Sequence, residues 1–360
     1  MKTKENWLTI IGGGLSGLSL AGYLSENKLL PGRVKIFERR KKYTDDRTFC
    51  FWENFDKKDP LVSARFGSWS FSKGICEIRH EGTKYCYAMV RSIDFYEHYF
   101  QILDSHPQIE IIMNAEIEPE SCNSQIIIDT TPPQITRFSA CQSFLGEELY
   151  YDHGIATNNA LIMGDMDVCN DGFRFVYRLP ITEKRILVEQ TIFGKQPADF
   201  KSLGKQNSEW KKKNGFNKAK IIRTEKAVIP MGLSGLIENK DRPDIIKIGA
   251  SFGMTRSSSG YGFQRIRGWC QKAAQCLIEG KPMPDRNLDH FGIKWMDDIF
   301  LRIVKSSPDT LPEIFLTMAG NMKPDDFSGF MTSPNLRNAL SMVAAVPKGK
   351  FLQAAVRQIF

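Results

Sequence analysis

The chain has 360 residues, of which 42% are hydrophobic and 25% charged, the composition of an ordinary globular protein with a large core. This excludes disordered and fibrous proteins. The formal net charge of +8 raises the question of an anionic partner. The basic runs "FERRKK" and "WKKKN" lack the interleaved aromatic residues of a single-strand binder, which argues against nucleic acid. Solvated basic loops and contact with an anionic membrane surface both stay open.

The cysteines and histidines show no pattern of a metal site. The eight cysteines contain no C-x-x-C pair, and the five histidines have no matching spacing. We expect no metal and reduced, mostly buried thiols in a cytosolic protein. The N-terminal "WLTIIGGGLSGLSLAGYL" is similar to the apolar region of a signal peptide, but its glycines weaken a membrane-crossing helix. No other window is long and apolar enough to span a bilayer, so we expect a protein that is soluble or lies on a membrane.

The first elements predict a βαβ unit. "WLTIIGGG" is typical of a buried strand, "LSGLSLAGYLSEN" of a helix, and "GRVKIFE" of a second strand that ends in Glu38. Two later stretches, "QIIIDTT" and "DIIKIGAS", are short apolar strands of the same kind. We therefore predict a parallel nucleotide-binding sheet built from separate parts of the chain.

Two further groups of elements follow different patterns. "GFRFVYRLPI", "RILVEQTIF" and "AKIIRTEKAVIPMG" alternate as antiparallel strands do, and they interrupt the parallel core. From Leu288 onward, stretches such as "DDIFLRIVKSS", "LPEIFLTMAGNM" and "NLRNALSMVAAV" are typical of amphipathic helices. These helices form either a cap on the core or a surface that contacts a membrane, and the pattern leaves both open.

A glycine motif lies between the first strand and the first helix. Gly12, Gly14 and Gly17, with Leu15 and Ser16 between them, form G-x-G-x-x-G, whose amides and helix N-terminus hold a pyrophosphate. Glu38 follows about twenty residues later, where an acid accepts ribose hydroxyls. Glycine-rich turns also serve plain packing, but strand, helix and acid together favour dinucleotide binding. They do not separate FAD from NAD.

A second glycine cluster, "IGASFGMTRSSSGYGFQR", starts at Ile248. It follows a strand and leads into the predicted helix "FQRIRGWCQKAAQCLIEG". We expect Ser258, Ser259 and Gly260 to open that helix and to present amides to a flavin edge or a phosphate. An ordinary strand-turn-helix is the alternative. Two such turns at distant points of the chain favour an elongated FAD.

One carboxylate, Glu189, stands inside the apolar strand "RILVEQTIF". Period-two alternation places Phe173, Phe175, Tyr177 and Leu179 on one strand face, a candidate lining for a hydrocarbon tunnel. On the next strand Leu187, Glu189, Thr191 and Phe193 share one face, and Ile186, Val188, Gln190 and Ile192 share the other. On this pattern alone we favour a solvent-facing Glu189, because burial of a charged carboxylate costs several kcal/mol.

The stretches "DDRTFCFWE", "LVEQTIF" and "GMTRSSSGYGF" resemble, in order and spacing, those of the bacterial flavoprotein lycopene cyclases. The tail segments "FLRIVKSSPDTLPEIFLTMAGN" and "VPKGKFLQA" are similar as well. The resemblance covers nearly the whole chain.

The resemblance implies the α/β fold of hydroxylase-type flavoproteins: a discontinuous Rossmann-like FAD domain, an inserted antiparallel β-sheet substrate domain that roofs the flavin, and C-terminal helices. We expect residues 1–70, 90–150 and 240–285 in the FAD domain, residues 71–89 and 151–239 in the substrate domain, and residues 286–360 in a helical cap or membrane-contacting segment. The implied FAD-binding residues, beside the first glycine motif and Glu38, are Arg47, Asp129, Thr130, Gly249, Ala250, Gly253, Ser258, Ser259, Gly260 and Tyr261. Because Ala250 and Ser251 replace the acid that many flavoproteins carry there, a side-chain contact to the ribityl chain is in question.

The implied activity is cyclisation of lycopene ends to the β-ionone rings of β-carotene, an isomerisation that uses reduced FAD without net redox change. NADPH, directly or through a reductase partner, is the implied electron source. Glu189 matches the family's acid, with Phe173, Phe175, Tyr177 and Thr191 as candidate substrate contacts. Many relatives carry a second acid at the next position, where this chain has Gln190 on the opposite strand face. A mechanism that needs paired carboxylates is therefore in question.

Several alternatives stay open. A flavin-dependent monooxygenase or desaturase of a hydrophobic substrate and a non-catalytic carotenoid or flavin carrier are the competing functions. The residues do not decide β against ε rings, one or two cyclised ends, the exact acyclic carotenoid, the final proton acceptor or the oligomeric state. Because lycopene is insoluble in water, we expect a cytoplasmic protein that lies peripherally on the inner membrane and takes its substrate there.

Overall fold

The structure is a computed structural model that describes residues 6–132, 137–155, 157–234 and 242–359, with side chains in these ranges as far as residue 354. The chain divides into two compact units. The first comprises Met1–Asp45, Arg91–Arg137 and Leu233–Asp289, and the second comprises Asp46–Val90, Phe138–Gly232 and His290–Phe360.

The described residues form fifteen strands, numbered in chain order as β1 (Asn6–Ile11), β2 (Val34–Glu38), β3 (Thr48–Asn54), β4 (Ala64–Phe66), β5 (Ser68–Lys73), β6 (Cys76–Glu81), β7 (Tyr85–Arg91), β8 (Ile109–Met113), β9 (Ser124–Asp129), β10 (Phe138–Tyr150), β11 (Ala160–Cys169), β12 (Gly172–Thr182), β13 (Arg185–Gly194), β14 (Lys220–Leu233) and β15 (Ile245–Lys247). The same residues form nine α-helices, α1 (Leu15–Ser25), α2 (Ser92–Asp104), α3 (Phe200–Lys213), α4 (Phe263–Ile278), α5 (Phe291–Ser306), α6 (Leu311–Asn321), α7 (Pro324–Thr332), α8 (Leu336–Ala345) and α9 (Lys348–Ile359).

The first unit contains a five-stranded sheet in the order β15-β9-β1-β2-β8, and each neighbouring pair is parallel. Five of the six residues of β1 are buried, as expected of a central strand in a parallel sheet that is covered on both sides. The predicted βαβ unit and the two later strands are confirmed. Because β2 and β9 flank β1 on opposite sides, the strand order reverses beside the end of β1, where ligands bind in open parallel sheets.

Helices α1, α2 and α4 belong to the first unit, and α1 packs against both of the others. Gly22 permits the close approach of α1 and α2, because a Cβ there would lie 2.1 Å from the Tyr99 ring. The helix predicted from "FQRIRGWCQKAAQCLIEG" is confirmed as α4. It begins at Phe263, so the expectation that Ser258, Ser259 and Gly260 open it is wrong. These three residues lie in the preceding turn, whose Arg256 carbonyl accepts from the amides of Ser259 and Gly260.

The second unit contains a seven-stranded sheet in the order β14-β10-β13-β12-β11-β5-β6 and a three-stranded sheet in the order β3-β7-β4. Strand β13 pairs antiparallel with β10 and β12, which confirms the predicted antiparallel section, while β11 and β5 are parallel. The thirteen-residue β10 was not among the predicted strands.

Helices cover both faces of the seven-stranded sheet. Helix α3 lies on one face, where Leu203 packs on Ile192 and Trp210 on Val188. On the other face, Phe315 of α6 stacks on Phe173 at a centroid distance of 5.4 Å, and α5 lies on β10, β12 and β13. The C-terminal helices are thus present as predicted.

The unit bounds differ from the expected domains at three places. Residues 46–70 group with the second unit because β3, β4 and β5 pair with strands of that unit. Residues 138–150 do so because they form β10. The C-terminal helices belong to the second unit as well, since α5 and α6 pack on its sheet. The expected boundary between residues 239 and 240 lies outside the described residues.

Two sequence expectations concern the thiols and membrane-spanning segments. The eight cysteines are free, but only Cys86, Cys141 and Cys270 are buried, so the expectation of mostly buried thiols is wrong. In the part of the chain that the structure describes, none of the helices has the length and apolar character needed to cross a bilayer.

Candidate active site

The first glycine motif forms a tight turn between β1 and α1. Gly12 has a φ of 96°, and a Cβ there would lie 2.3 Å from Thr130 Oγ1. A Cβ at Gly17 would lie 2.0 Å from the Gly12 carbonyl oxygen, so this glycine lets α1 start against the strand. Gly14 is the N-cap, Leu15 begins the helix, and no described side chain caps its first amides. The turn therefore presents free backbone donors that suit a pyrophosphate.

Glu38 lies beside this turn and is almost fully buried. Its Oε2 accepts from the Gly13 amide at 2.8 Å, and its Oε1 accepts from the Arg40 amide at 2.7 Å and from Arg40 Nε at 3.0 Å. Burial alone would raise the pKa of Glu38, but the hydrogen bonds and charge of Arg40 and the Gly13 amide outweigh it and lower the pKa. Glu38 is thus a fixed carboxylate at the end of β2, as its proposed contact with ribose requires.

Arg40 is a residue of this site that the sequence analysis missed. Its guanidinium lies beside the stacked rings of Tyr43 and Tyr96, 4.9 Å from each ring centroid, and donates to the Gly13 carbonyl. The guanidinium Nη2 also lies 3.9 Å from the position of a Cβ at Gly14. A cation is therefore held at the glycine turn. The run "FERR" carries the only signal, an arginine two residues after the acid.

The ends of β9 and β15 complete the same edge of the sheet. Thr130 donates through Oγ1 to the Ile11 carbonyl, and Asp129 accepts from the Thr131 amide at 2.9 Å. Gly249 has a φ of 115°, and a Cβ there would lie 2.9 Å from Ser16 Oγ. The two glycine segments, far apart in sequence, therefore meet at the N-terminus of α1.

The rest of the second glycine segment forms a short turn structure before α4. Ala250 opens a 3-10 turn that Gly253 ends in the left-handed conformation, and Gly260 has a φ of 71°. The Tyr261 carbonyl accepts from the Arg256 amide at 2.9 Å. Of the predicted FAD-binding residues, Arg47 alone belongs to the second unit, where it pairs with Asp46.

A row of side chains crosses four neighbouring strands of the second unit around Glu189. On β13, Glu189 is in register with Gly146 of β10 and Tyr177 of β12. A Cβ at Gly146 would lie 2.7 Å from Glu189 Cγ and 3.1 Å from Glu225 Cγ, so the space above this glycine holds both carboxyl side chains. Glu225 comes from β14, the next strand beyond β10. Two acids therefore face each other on one side of the sheet.

Glu189 is 8% exposed, so the solvent-facing alternative is wrong. Burial raises its pKa well above the usual range for a carboxyl group, the charge and hydrogen bond of Glu225 raise it further, and Arg223 opposes them. The raised pKa favours the neutral carboxyl group, and a neutral group avoids the cost that made the solvent-facing alternative attractive.

The neighbouring charges form a buried network. Arg223 donates through Nε to Glu148 Oε2 at 3.0 Å and through Nη1 to Glu225 Oε2 at 2.8 Å. Arg185 forms a second ion pair with Glu148, and Thr48 donates to Glu225 Oε2 at 3.1 Å. The network thus fixes the position of the Glu225 carboxyl group beside Glu189.

Tyr177 connects this row to the three-stranded sheet. Its hydroxyl donates to the Tyr87 hydroxyl at 3.0 Å. Cys50 of β3 hydrogen-bonds to both tyrosines, and burial raises the pKa of its thiol. The surroundings of Glu189 on this side are therefore hydroxyl and neutral thiol groups.

On the other side of Glu189 the same sheet face becomes aromatic. Phe173, Phe175 and Phe193 lie with ring centroids 5.2 to 6.0 Å apart. Thr191 lies between Glu189 and these rings and is 1% exposed, and its hydroxyl has no hydrogen-bond partner among the described residues. The predicted substrate contacts Phe173, Phe175, Tyr177 and Thr191 share this face with the acid.

Gln190 belongs to the opposite face. It is in register with Leu145 and Val176, and Val176 packs beneath α3 with Trp210. The sequence analysis therefore placed Gln190 correctly but missed Glu225 and Arg223. The stretch "RTE" puts these two residues on one strand face, but nothing in it identifies the neighbouring strand.

Comparison with known proteins identifies the family. Residues 8–303 match the family model described as lycopene cyclase protein. The chain belongs to this family. Among curated members, a lycopene beta-cyclase of Pseudescherichia vulneris is 28% identical over 136 residues, 35% of this chain and 35% of that protein. One of Pantoea ananas is 28% identical over 95 residues, 26% of this chain and 25% of that protein. The matched segments thus span about a third or less of these relatives.

Solved structures confirm the flavoprotein fold for this lycopene cyclase family member. A geranylgeranyl bacteriochlorophyll reductase-like protein of Thermoplasma acidophilum has a TM-score of 0.61 at 10% identity over 97% of this chain and 98% of its own. A flavoprotein/dehydrogenase of Cytophaga hutchinsonii has a TM-score of 0.60 at 11% identity, over 98% of this chain and 99% of its own. A mutant of halogenase PltM in complex with FAD has a TM-score of 0.54 at 10% identity, over 98% of this chain and 85% of its own.

Proposed function

We propose that this protein is a lycopene cyclase that isomerises the acyclic ends of a carotenoid to β-ionone rings, with Glu189 as proton donor. The observation that carries the proposal is a buried carboxyl group of raised pKa next to the aromatic rings of Phe173, Phe175 and Phe193. An alkene is a very weak base, so its protonation needs an acid that is neutral, dry and fixed in place. Glu189 has these properties.

The reaction has three steps. The carboxyl group of Glu189 transfers its proton to the terminal double bond. The O–H bond breaks, the π electron pair forms the new C–H bond, and a tertiary cation is left. The electron pair of an internal double bond then closes the ring, and a ring C–H loses its proton to form the ring double bond. One proton enters and one leaves, so the product has the mass of the substrate and nothing is oxidised or reduced.

The surrounding side chains stabilise the cation without reacting with it. An aromatic face near a cation contributes on the order of 1 kcal/mol, and Phe173, Phe175 and Tyr177 offer such faces. Burial raises the pKa of the nearby Cys50 thiol, which disfavours a thiolate that would trap the cation. The unpaired hydroxyl of Thr191 is a candidate contact that positions the polyene end.

The first unit fits an FAD molecule. The uncapped N-terminus of α1, the turn at Gly12–Gly14 and the meeting of Gly249 with Ser16 offer the backbone donors that a pyrophosphate needs, and Glu38 and Arg40 suit the ribose beside it. When bound and reduced, FAD supplies negative potential that stabilises a carbocation. Support comes from the fold shared with the FAD-bound halogenase. We propose NADPH, directly or through a reductase, as the electron source.

We further propose that the protein takes its substrate from a membrane surface through α8. This helix buries Asn338, Met342 and Ala345 on one side, while Leu336, Leu340 and Val343 are exposed on the opposite side. Exposed basic residues lie within α8 at Arg337 and just after it at Lys348 and Lys350. An apolar stripe flanked by basic residues suits the interface of an anionic bilayer.

Expression in cells that accumulate lycopene, followed by pigment analysis, tests the proposal. We expect cyclic carotenoids of unchanged mass, formed without oxygen and without reductant consumed per turnover. A product that gains oxygen or loses hydrogen would instead identify a monooxygenase or desaturase. Unchanged lycopene with reduced FAD bound would contradict the proposal.

A further inference from the structure

The charges around Glu189 balance without it. The groups that face it from the packed elements are Glu148 on β10, Arg185 on β13, Arg223 and Glu225 on β14, Cys50 on β3, Tyr177 on β12 and Tyr87 on β7. The two arginines pair with Glu148 and Glu225, and desolvation raises the pKa of the half-buried Cys50 thiol, which favours its neutral form. A charged Glu189 would therefore add one uncompensated negative charge to a buried cluster, which is strongly unfavourable.

One carboxyl oxygen of Glu225 accepts no hydrogen bond from the described part of the network. Its Oε2 accepts from Arg223 at 2.8 Å and from Thr48 at 3.1 Å. Its Oε1 is fully buried and has no donor among the hydrogen-bonding groups that the structure describes. Glu189 shares the space above Gly146 with this side chain. A protonated Glu189 supplies a hydrogen for this oxygen.

We infer that Glu225 is a positioning residue that holds the proton of Glu189 in a hydrogen bond shared by the two carboxyl groups, with Arg223 and Thr48 fixing Glu225 as the acceptor. The inference rests on the proposed function only for its catalytic meaning. The sequence placed the expected second acid of the family at Gln190, whose side chain lies on the other sheet face. In this chain the partner acid instead comes from a different strand.

The pair also accounts for the last step of the reaction. Once Glu189 has given its proton to the polyene, two carboxylates stand side by side with one arginine between Glu225 and Glu148. Like charges at this distance favour recovery of one proton. The ring C–H then returns its proton to Glu189, the electron pair of that bond becomes the ring double bond, and the shared hydrogen bond forms again. No other proton acceptor is required.

The direct test is infrared spectroscopy of the whole protein, without substrate or FAD, as a function of pH. We expect the C=O absorption of a protonated carboxyl group at pH values where a free Glu is ionised, and we expect its loss in Glu189→Gln, which assigns it. In Glu225→Gln the charge is removed and the amide donates to Glu189 instead, so the midpoint of this absorption should fall by about one pH unit or more.

A matched control is Glu147→Gln, because Glu147 of β10 is a half-buried carboxylate on the opposite sheet face and pairs with Lys211 at 2.6 Å. The midpoint should not move in this variant. In turnover assays, the pH above which kcat falls should shift in the same direction in Glu225→Gln, while KM changes less than kcat.

Two results would overturn the inference: a Glu189 absorption that titrates like that of a free carboxyl group, or an unchanged midpoint in Glu225→Gln. If Glu225→Gln does not fold, the wild-type titration still decides. A chain that shows the shared proton but forms no ring would contradict the proposed function and leave the inference standing.

Discussion

Arg223 Nη1 donates to Glu225 Oε2 at 2.8 Å, and its Nε donates to Glu148 at 3.0 Å. One guanidinium, with its side chain 9% exposed, thus separates two buried carboxylates and leaves the third, Glu189, without a cation of its own. Glu189 therefore differs from Glu148 and Glu225 because Arg223 already pairs with those two carboxylates. This arrangement leads to predictions about stability as well as activity.

Removal of Arg223 should destabilise the fold strongly. In Arg223→Gln, Glu148 loses one of its ion pairs and Glu225 loses the ion pair with Arg223. Breaking a buried ion pair in this way costs about 3–5 kcal/mol in the free energy of unfolding. Arg174→Gln is the control, since Arg174 and Asp167 are 39% and 58% exposed and such a pair contributes less than about 1 kcal/mol. Urea unfolding measures both, and equal losses would contradict the account of the buried network.

The stability of the protein should depend on pH through Glu189. Burial and Glu225 raise its pKa in the folded state above its value in the unfolded chain. Its contribution is therefore full below the unfolded pKa of about 4.3 and is lost as pH rises through the folded pKa, by about 1.4 kcal/mol per unit of difference. Glu189→Gln cannot ionise, so its unfolding midpoint in urea should fall less than that of the wild type between about pH 5 and about pH 9. Parallel curves would show that the pKa is not raised.

Two glycines of the first motif should respond differently to alanine. Gly12 has a φ of 96° and Thr130 Oγ1 within 2.3 Å of a Cβ, so Gly12→Ala should lower the free energy of unfolding by more than about 1 kcal/mol. Gly14 has a φ of −93°, and the nearest atom to a Cβ is Arg40 Nη2 at 3.9 Å. Gly14→Ala should leave unfolding within about 0.5 kcal/mol but weaken FAD binding, measured by flavin fluorescence. Undiminished FAD affinity in Gly14→Ala would show that the cofactor does not approach this turn.

Binding to lipid should depend on the exposed side of α8. Leu336 and Leu340 are 77% and 60% exposed, and a buried leucine contributes about 1.5–3 kcal/mol. The double variant Leu336→Ser, Leu340→Ser should therefore bind vesicles of mixed neutral and anionic phospholipid about a hundredfold more weakly in a flotation assay. Leu29→Ser changes a leucine that is 80% exposed on the first unit and should bind as the wild type does. Equal binding of all three proteins would exclude α8 as the contact.

Local patterns were sufficient to predict most of the fold. The strand, glycine turn and helix around Gly12 are encoded within a few residues, and period-two alternation placed Glu189 and Gln190 on opposite faces. The start of α4 at Phe263 was mispredicted because Ser259 and Gly260 donate their amides to the Arg256 carbonyl in a turn before the helix. A Ser-Ser-Gly stretch is compatible with both a turn and a helix start, so the local pattern does not distinguish them.

The pairing of Glu189 with Glu225 could not be predicted for a related reason. The two acids meet only because β14 lies beside β10 and because Gly146, in between, has no side chain. The order of strands in a sheet, and so which residues of another strand lie nearby, is set only when the sheet folds. The pattern of a single strand also predicts that an acid faces solvent. It cannot show that the neighbouring arginines are paired with other carboxylates, as Arg223 is with Glu148 and Glu225.

The central claim, that Glu189 donates the proton that starts ring closure, is tested most directly by Glu189→Gln in a purified system with reduced FAD and lycopene in vesicles. We predict FAD binding and folding like those of the wild type and a loss of ring formation of about a hundredfold or more, while Glu147→Gln keeps its activity. Ring formation at the wild-type rate in Glu189→Gln would contradict the account.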